Sequence, residues 1–304
     1  MTQTVSRLTW NIPGDLHQLF GFHFMVNAFR AGTVVAIVAG AVGWFMVLRR
    51  ASFVGHTLAV VSFPGAAGAI WLGISVTAGY FAASIAAALV IAMVPPSRTG
   101  GSTSGEAAVI GTVQAFALAC GVLFVSLYSG ILDSVTGLLF GTFLGISDDQ
   151  VVTLLIVGAA VLVALVAMAR PLFFASVDPD VASARRVPVR LLSTLYLVLL
   201  GCTAAEVSQI TGALLVFALL VMPAAAAQQV TVRPGWSFLL TITLALAVTW
   251  LALGAAYFSI YPVGFYVTSF GFAAYALAAA GRAIGGWTGS RASANMTPLG
   301  AVDG

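Results

Sequence analysis

Runs of about twenty apolar residues, separated by short polar breaks, make up most of this chain. About twenty residues of α-helix cross the hydrocarbon core of a bilayer. The runs at 29–48, 56–76, 78–95, 107–128, 151–173, 190–208, 210–228, 236–258 and 263–282 therefore predict about nine membrane-spanning helices, with eight to ten compatible with the pattern. The expected fold class is an all-α integral membrane protein, a polytopic helical bundle occupying 29–284. Residues 1–28 mix Trp10, Phe20, Phe22 and Phe24 with polar neighbours and read as an interfacial lead-in. The stretch 285–304 is rich in Gly, Ser and Ala and reads as a disordered tail. Between the fourth and fifth spans a shorter apolar piece, Thr136 to Ile146, fits a re-entrant or surface helix.

One break differs from the others. Ser176 to Arg190 reads SVDPDVASARRVPVR and holds Asp178, Asp180, Arg185, Arg186 and Arg190, in a chain with only 12 basic and 9 acidic side chains. A charged residue at the bilayer centre costs about 3 kcal/mol even on the milder scales, so the segment lies at a membrane face. Its local signals are helical. Asp178 is placed to cap, Pro179 sits at the first helical position, and Pro188 stops the run. A short structured helix at that face is a docking surface for something soluble.

Charge settles the orientation. All the basic residues are arginines, and placing 176–190 in the cytoplasm puts every one except Arg7 and Arg30 inside. For nine spans the N-terminus is then outside and the C-terminus inside. With 61% hydrophobic and 7% charged residues and a mean hydropathy of +1.07, the chain has little outside the bilayer and no soluble catalytic domain. The pI near 9.1 comes from loop arginines and is no argument for nucleic acid. No Gly-x-x-x-x-Gly-Lys-Ser/Thr phosphate loop is present. Cys120 and Cys202 lie in apolar runs and read as small buried side chains.

Within the spans, Pro64, Gly65, Gly212 and Pro223 are candidates for helix breaks or close packing, and Pro262 for a further break. His56, just inside the second span, reads either as a ligand for a borderline metal or as a helix-end histidine bonded to a carbonyl. Glu206, the carboxylate of the late spans, is placed close to their outer edge. It is either a pathway group or a solvated interfacial one. Gln209, Gln228 and Gln229 read as polar glue, and Asp148 and Asp149 as a helix cap. His17 and His23, with Asp15, form at most a weak metal-attracting patch on the outer lead-in.

Six segments, in order, resemble the permease subunit of the ABC-3 family, the bacterial importers of zinc, manganese and iron. They are LRRASFVGHTLAVVSFPGAAGA from Leu48, GEAAVIG from Gly105, LLFGTFLGISDDQV from Leu138, FFASVDPDVASARRVPVRLL from Phe173, TGALLVFALLVMPAAAAQQVT from Thr211 and YPVGFYVTSFGF from Tyr261. The resemblance implies a homodimer or a pair of similar permease subunits in the plasma membrane. It implies cytoplasmic ATP-binding subunits docked on the inner face and an extracellular solute-binding protein that delivers the metal. It makes Asp178, Pro179, Asp180, Arg185 and Arg186 part of the ATPase coupling helix. No tightly bound cofactor is implied; a transported divalent metal is.

The sequence departs from the family at three places. His56 stands where the family has Asp, and Val60 where it has His, two positions on one helix face at i and i+4. Arg186 stands where a Gly is usual. His56 thus remains as a metal ligand, with Glu206 as a substitute partner. The expected function is a permease that moves a divalent transition metal, zinc or manganese, by alternating access driven by a partner ATPase. The rivals are an ABC permease for another substrate, a transporter driven by an ion gradient, and an intramembrane enzyme.

Overall fold

The computed structural model describes residues 18–93, 103–127, 145–213, 215–259 and 261–294; for 103–106 and 285–294 only the backbone is described. Its helices are α1 (His23–Leu48), α2 (Ser52–Leu72), α3 (Val76–Met93), α4 (Thr103–Leu127), α5 (Asp148–Val177), α6 (Pro179–Ala184), α7 (Val189–Thr211), α8 (Val216–Val230), α9 (Pro234–Tyr257) and α10 (Val263–Ala294). Eight of these are long and apolar enough to cross a membrane, and α8 is a shorter apolar helix. Among the described residues no strand is assigned.

Apolar periodicity along these helices is weak because lipid and protein interior are equally apolar. Packing is decided instead by small residues. Helix α1 sits centrally, against α5, α7, α8 and α9, while α2 packs on α3, α4 and α7. Backbones meet at glycine. A Cβ on Gly65 would fall on the carbonyl of Gly79, and one on Gly79 on the carbonyl of Gly65, so the α2 and α3 backbones meet there with only the methyl groups of Ala83 and Ala69 alongside. Polar cross-links stitch the rest. The Trp44 indole donates to Ser237 Oγ at 3.0 Å and the Tyr196 hydroxyl to the Val42 carbonyl at 2.9 Å.

One break falls where Gly212 stands. Helix α7 ends at Thr211, Gly212 adopts φ 77 and ψ 153, and α8 begins at Val216. That φ is open to glycine and unfavourable for other residues. Helix α8 has 15 residues, about 22 Å, short of the roughly 30 Å of hydrocarbon. Pro64 and Pro223, expected to interrupt spans, instead lie inside continuous helices, and Pro262 precedes α10. Two boundaries also move. Helix α1 starts at His23, inside the expected lead-in, and the backbone of α10 stays helical to Ala294, past the expected start of the tail. The apolar piece at 136–146 lies almost wholly outside the described residues.

Candidate functional site: a capped inner helix and a buried carboxyl

The inner ends of the helices gather around Arg49. Its guanidinium donates to Ser176 Oγ at 3.1 Å and Ser193 Oγ at 2.7 Å, and lies over the Tyr196 ring at 5.3 Å. These contacts tie the ends of α1, α5 and α7 together. Burial pulls the Arg49 pKa below its ordinary value, with the tyrosine acting in the other direction; a guanidinium stays charged regardless. Gln228 donates to the Trp44 carbonyl, and Arg282 to Gln229 Oε1 at 2.8 Å. The arginines at 49, 50, 185, 186, 190, 233 and 282 therefore share one face, as the charge pattern predicts. At the opposite face Asn27 donates to Asp148 at 2.9 Å and His23 pairs with the same carboxylate at 3.1 Å.

Helix α6 is capped at both ends. Asp178 closes α5 and, through its carboxylate, accepts from Val181 N at 3.0 Å to open α6, with Pro179 in the first turn. Asp180 stands in that turn too, where acidic groups favour the helix dipole. At the far end the Arg186 N–H donates to the Ser183 carbonyl and the Val187 N–H to the Ala182 carbonyl, both at 3.0 Å. That pattern is the Schellman motif, whose left-handed position glycine normally fills. Here Arg186 fills it, with φ 60, which explains why glycine suits the position in the family that the sequence resembles. Ala182 is wholly buried and anchors the helix, while Asp178, Asp180, Arg185 and Arg186 are exposed.

Glu206 is not at a wet outer edge. Its side chain is fully buried, and among the described residues neither carboxyl oxygen has a hydrogen-bond partner. It lies against α5 and α1: a Cβ on Gly158 would stand 2.9 Å from Glu206 Oε1 and from Val34, and 3.0 Å from Val38. Gly158 leaves the space that the carboxyl fills. His56 is elsewhere. It is half-buried in the seam of α2 and α8, its ring 5.3 Å from that of Phe217 in edge contact.

These two residues are not brought together. Ser62 of α2 donates to Ser208 of α7 at 2.8 Å, so Ser208 marks the face of α7 turned to α2. Two residues on a helix is about 200°, which puts Glu206 on the opposite face. Val60, one turn on from His56, is buried. Among the described residues no group of three or more His, Cys, Asp and Glu side chains is placed to hold a metal.

The smaller assignments resolve simply. Ser147, not Asp148, caps α5, in a reciprocal box with Gln150. Gln209, Gln228 and Gln229 all make polar cross-links or helix-backbone bonds. His23 pairs with Asp148; Asp15 and His17, the other members of the expected patch, lie outside the described residues. Both cysteines are free thiols. The left-handed conformation of Arg186 carried no residue-type signal in the sequence, since glycine is the residue that marks it.

The model of the ABC 3 transport family matches residues 21–279. The manganese import system permease protein ScaB of Streptococcus parasanguinis is 32% identical over 209 residues, 68% of this chain and 72% of that one. The chelated iron transport system membrane protein YfeC of Yersinia pestis is 33% identical over 250 residues, 82% of each. Among solved structures, PsaBC from Streptococcus pneumoniae in complex with Fab superposes with a TM-score of 0.78 at 27% identity, covering 88% of this chain and 95% of that one. With its match running through nearly all the described helices, this chain belongs to the ABC 3 transport family.

Proposed function

We propose that this chain is the membrane-spanning subunit of an importer for a divalent transition metal, manganese or zinc, powered by cytoplasmic ATP-binding subunits and supplied by an extracellular solute-binding protein. The observation that carries the reading is α6, a helix of six residues capped at both ends, set on the inner face among arginines that have no carboxylate partner among the described residues. A rigid knob transmits a push; a flexible linker would absorb it. ATP binding in the partner moves α6, and α5 and α7, which it joins, carry the movement to the outer face. Hydrolysis belongs to the partner, and two copies of the chain form the pore. Tyr261 is exposed in the α9–α10 loop, which with the 129–150 segment would receive the binding protein. The relatives named for manganese and for chelated iron support a transition metal as cargo.

The cargo would pass His56 as a neutral imidazole ligand. Glu206 plays a separate part. A carboxyl sealed from water with both oxygens unbonded is costly. Opening of the seam between α5, α1 and α7 relieves that cost, so Glu206 favours the other conformation of the alternating cycle. The buried Val60 in the second ligand position favours one further reading, a permease of the same architecture for a different cargo.

The test is reconstitution with the ATP-binding partner and binding protein, measuring manganese and zinc accumulation. Uptake should require ATP and partner; uphill uptake at full rate by the chain alone would overturn the reading. His56→Ala should lower uptake more than Val60→Ala, and equal full activity would remove His56 from the path. Glu206→Leu should stabilise the resting fold by about 1–3 kcal/mol while slowing turnover. Uptake that is ATP-dependent but accepts neither metal would establish the second reading.

A further inference from the structure

Beside the Arg49 knot, between α3 and the first turns of α7, is a cavity of about 400 Å³. Arg49, Arg190, Ser193 and Thr194 give it a polar side, and Ile91 and Leu197 contribute to an apolar one. Among the described residues neither arginine has a carboxylate within salt-bridge distance. Arg49 is half-buried, and its two bonds are to neutral serine hydroxyls. Two cations and two hydroxyls thus converge on one concave site with no anion to balance them. A half-buried cation such as Arg49 needs a partner, the exposed Arg190 stands at the rim beside it, and guanidinium suits the oxygens of a phosphate by geometry.

The surroundings say which phosphate. The cavity lies at the inner membrane boundary, where the arginine-rich ends of the helices meet. The helices that wall it also present Val90 and Met93 of α3, and Leu191 and Leu195 of α7, as exposed apolar side chains. On a spanning helix such side chains face acyl chains. A ligand with a phosphate head and hydrocarbon tails satisfies both halves at once; a soluble acidic protein satisfies one. We propose that this cavity is a binding site for an anionic phospholipid, its phosphate held by Arg49 and Arg190 with Ser193, whose hydroxyl accepts from Arg49, donating to the headgroup. Basic pockets between helices on the cytoplasmic side are built for such headgroups. A shallow groove lined by Ser183, Val187 and Arg190 continues from it toward α6. Headgroup occupancy therefore braces the base of the capped helix. The inference stands whatever cargo the chain moves.

The experiment uses the purified full-length chain in detergent. Retention of phosphatidylglycerol and phosphatidylcholine is compared by native mass spectrometry, and thermal stabilisation is followed with each lipid and with inorganic phosphate. Phosphatidylglycerol should be retained preferentially and raise the melting temperature, and phosphate alone should not. Arg190→Gln, at an exposed side chain, should weaken phosphatidylglycerol binding about fivefold, the loss of one basic contact at about 1 kcal/mol. Arg49→Gln removes the knot as well, so Ser193→Ala serves as the milder second variant, with a smaller loss. Equal retention of both lipids, or unchanged retention in Arg190→Gln, overturns the proposal. Full stabilisation by free phosphate overturns it in favour of a soluble anion. A variant that keeps its lipid yet loses response to the ATP-binding partner overturns it in favour of a protein contact.

Discussion

Three helices close with the same pair of backbone hydrogen bonds, on opposite faces and with different residues. At the outer end of α2, Gly73 takes the left-handed position with φ 70; its N–H donates to the Ile70 carbonyl and the Ile74 N–H to the Ala69 carbonyl. At the inner end of α1, Arg50 takes it with φ 56, and at the end of α6, Arg186 with φ 60. The donors and acceptors correspond: Arg50 to Val47 and Ala51 to Met46, Arg186 to Ser183 and Val187 to Ala182. The geometry asks for glycine at all three. Only the outer turn has it. A side chain with a Cβ costs about 1 kcal/mol or more in that conformation, so the inner face keeps two cations against the preference of its own backbone. Strained positions cluster where function needs them, and both of these project exposed arginines on the arginine-rich face.

Charge reversal at the end of α6 should have the largest effect. Arg185→Glu with Arg186→Glu should bring ATP-driven uptake down to background, with the chain still inserted in the membrane as judged by immunoblotting of the membrane fraction. Normal uptake would show that the arginines serve something other than docking. A middle-sized effect should follow from giving the inner turns the residue they ask for. Arg50→Gly and Arg186→Gly should each raise unfolding stability by about 1 kcal/mol while lowering ATP-driven uptake, a trade read by denaturation in detergent alongside transport. Gains in stability with undiminished uptake would make the strain incidental. Smallest in functional terms, Gly73→Ala should lose about 1 kcal/mol of stability and leave the transport rate of the folded fraction unchanged. A transport defect there would erase the contrast between the faces.

Much of the architecture was legible along the chain. Helices that must be apolar over about twenty residues announce themselves by length, and arginine placement carries their direction. The α6 helix was legible because its capping is local: Asp178, Pro179 and Pro188 act within a few residues of themselves. Gly212 marked a break for the same reason. Of the two readings of Pro64 and Pro223, break or packing, no local rule chooses; both lie inside helices, α2 and α8. The pairing of His23 with Asp148 spans 125 residues and depended on α1 and α5 lying side by side.

Sequence alone therefore determined the bundle, its orientation and its capped inner knob, because hydrophobic length, charge bias and helix capping are properties of short stretches. Tertiary structure alone decided that Glu206 is buried with no partner among the described residues, that His56 lies in a different seam, and that Arg49 and Arg190 open on one cavity. Those facts rest on which face of each helix meets which neighbour. In a chain whose interior and surroundings are equally apolar, the hydrophobic pattern carries almost no information about facing.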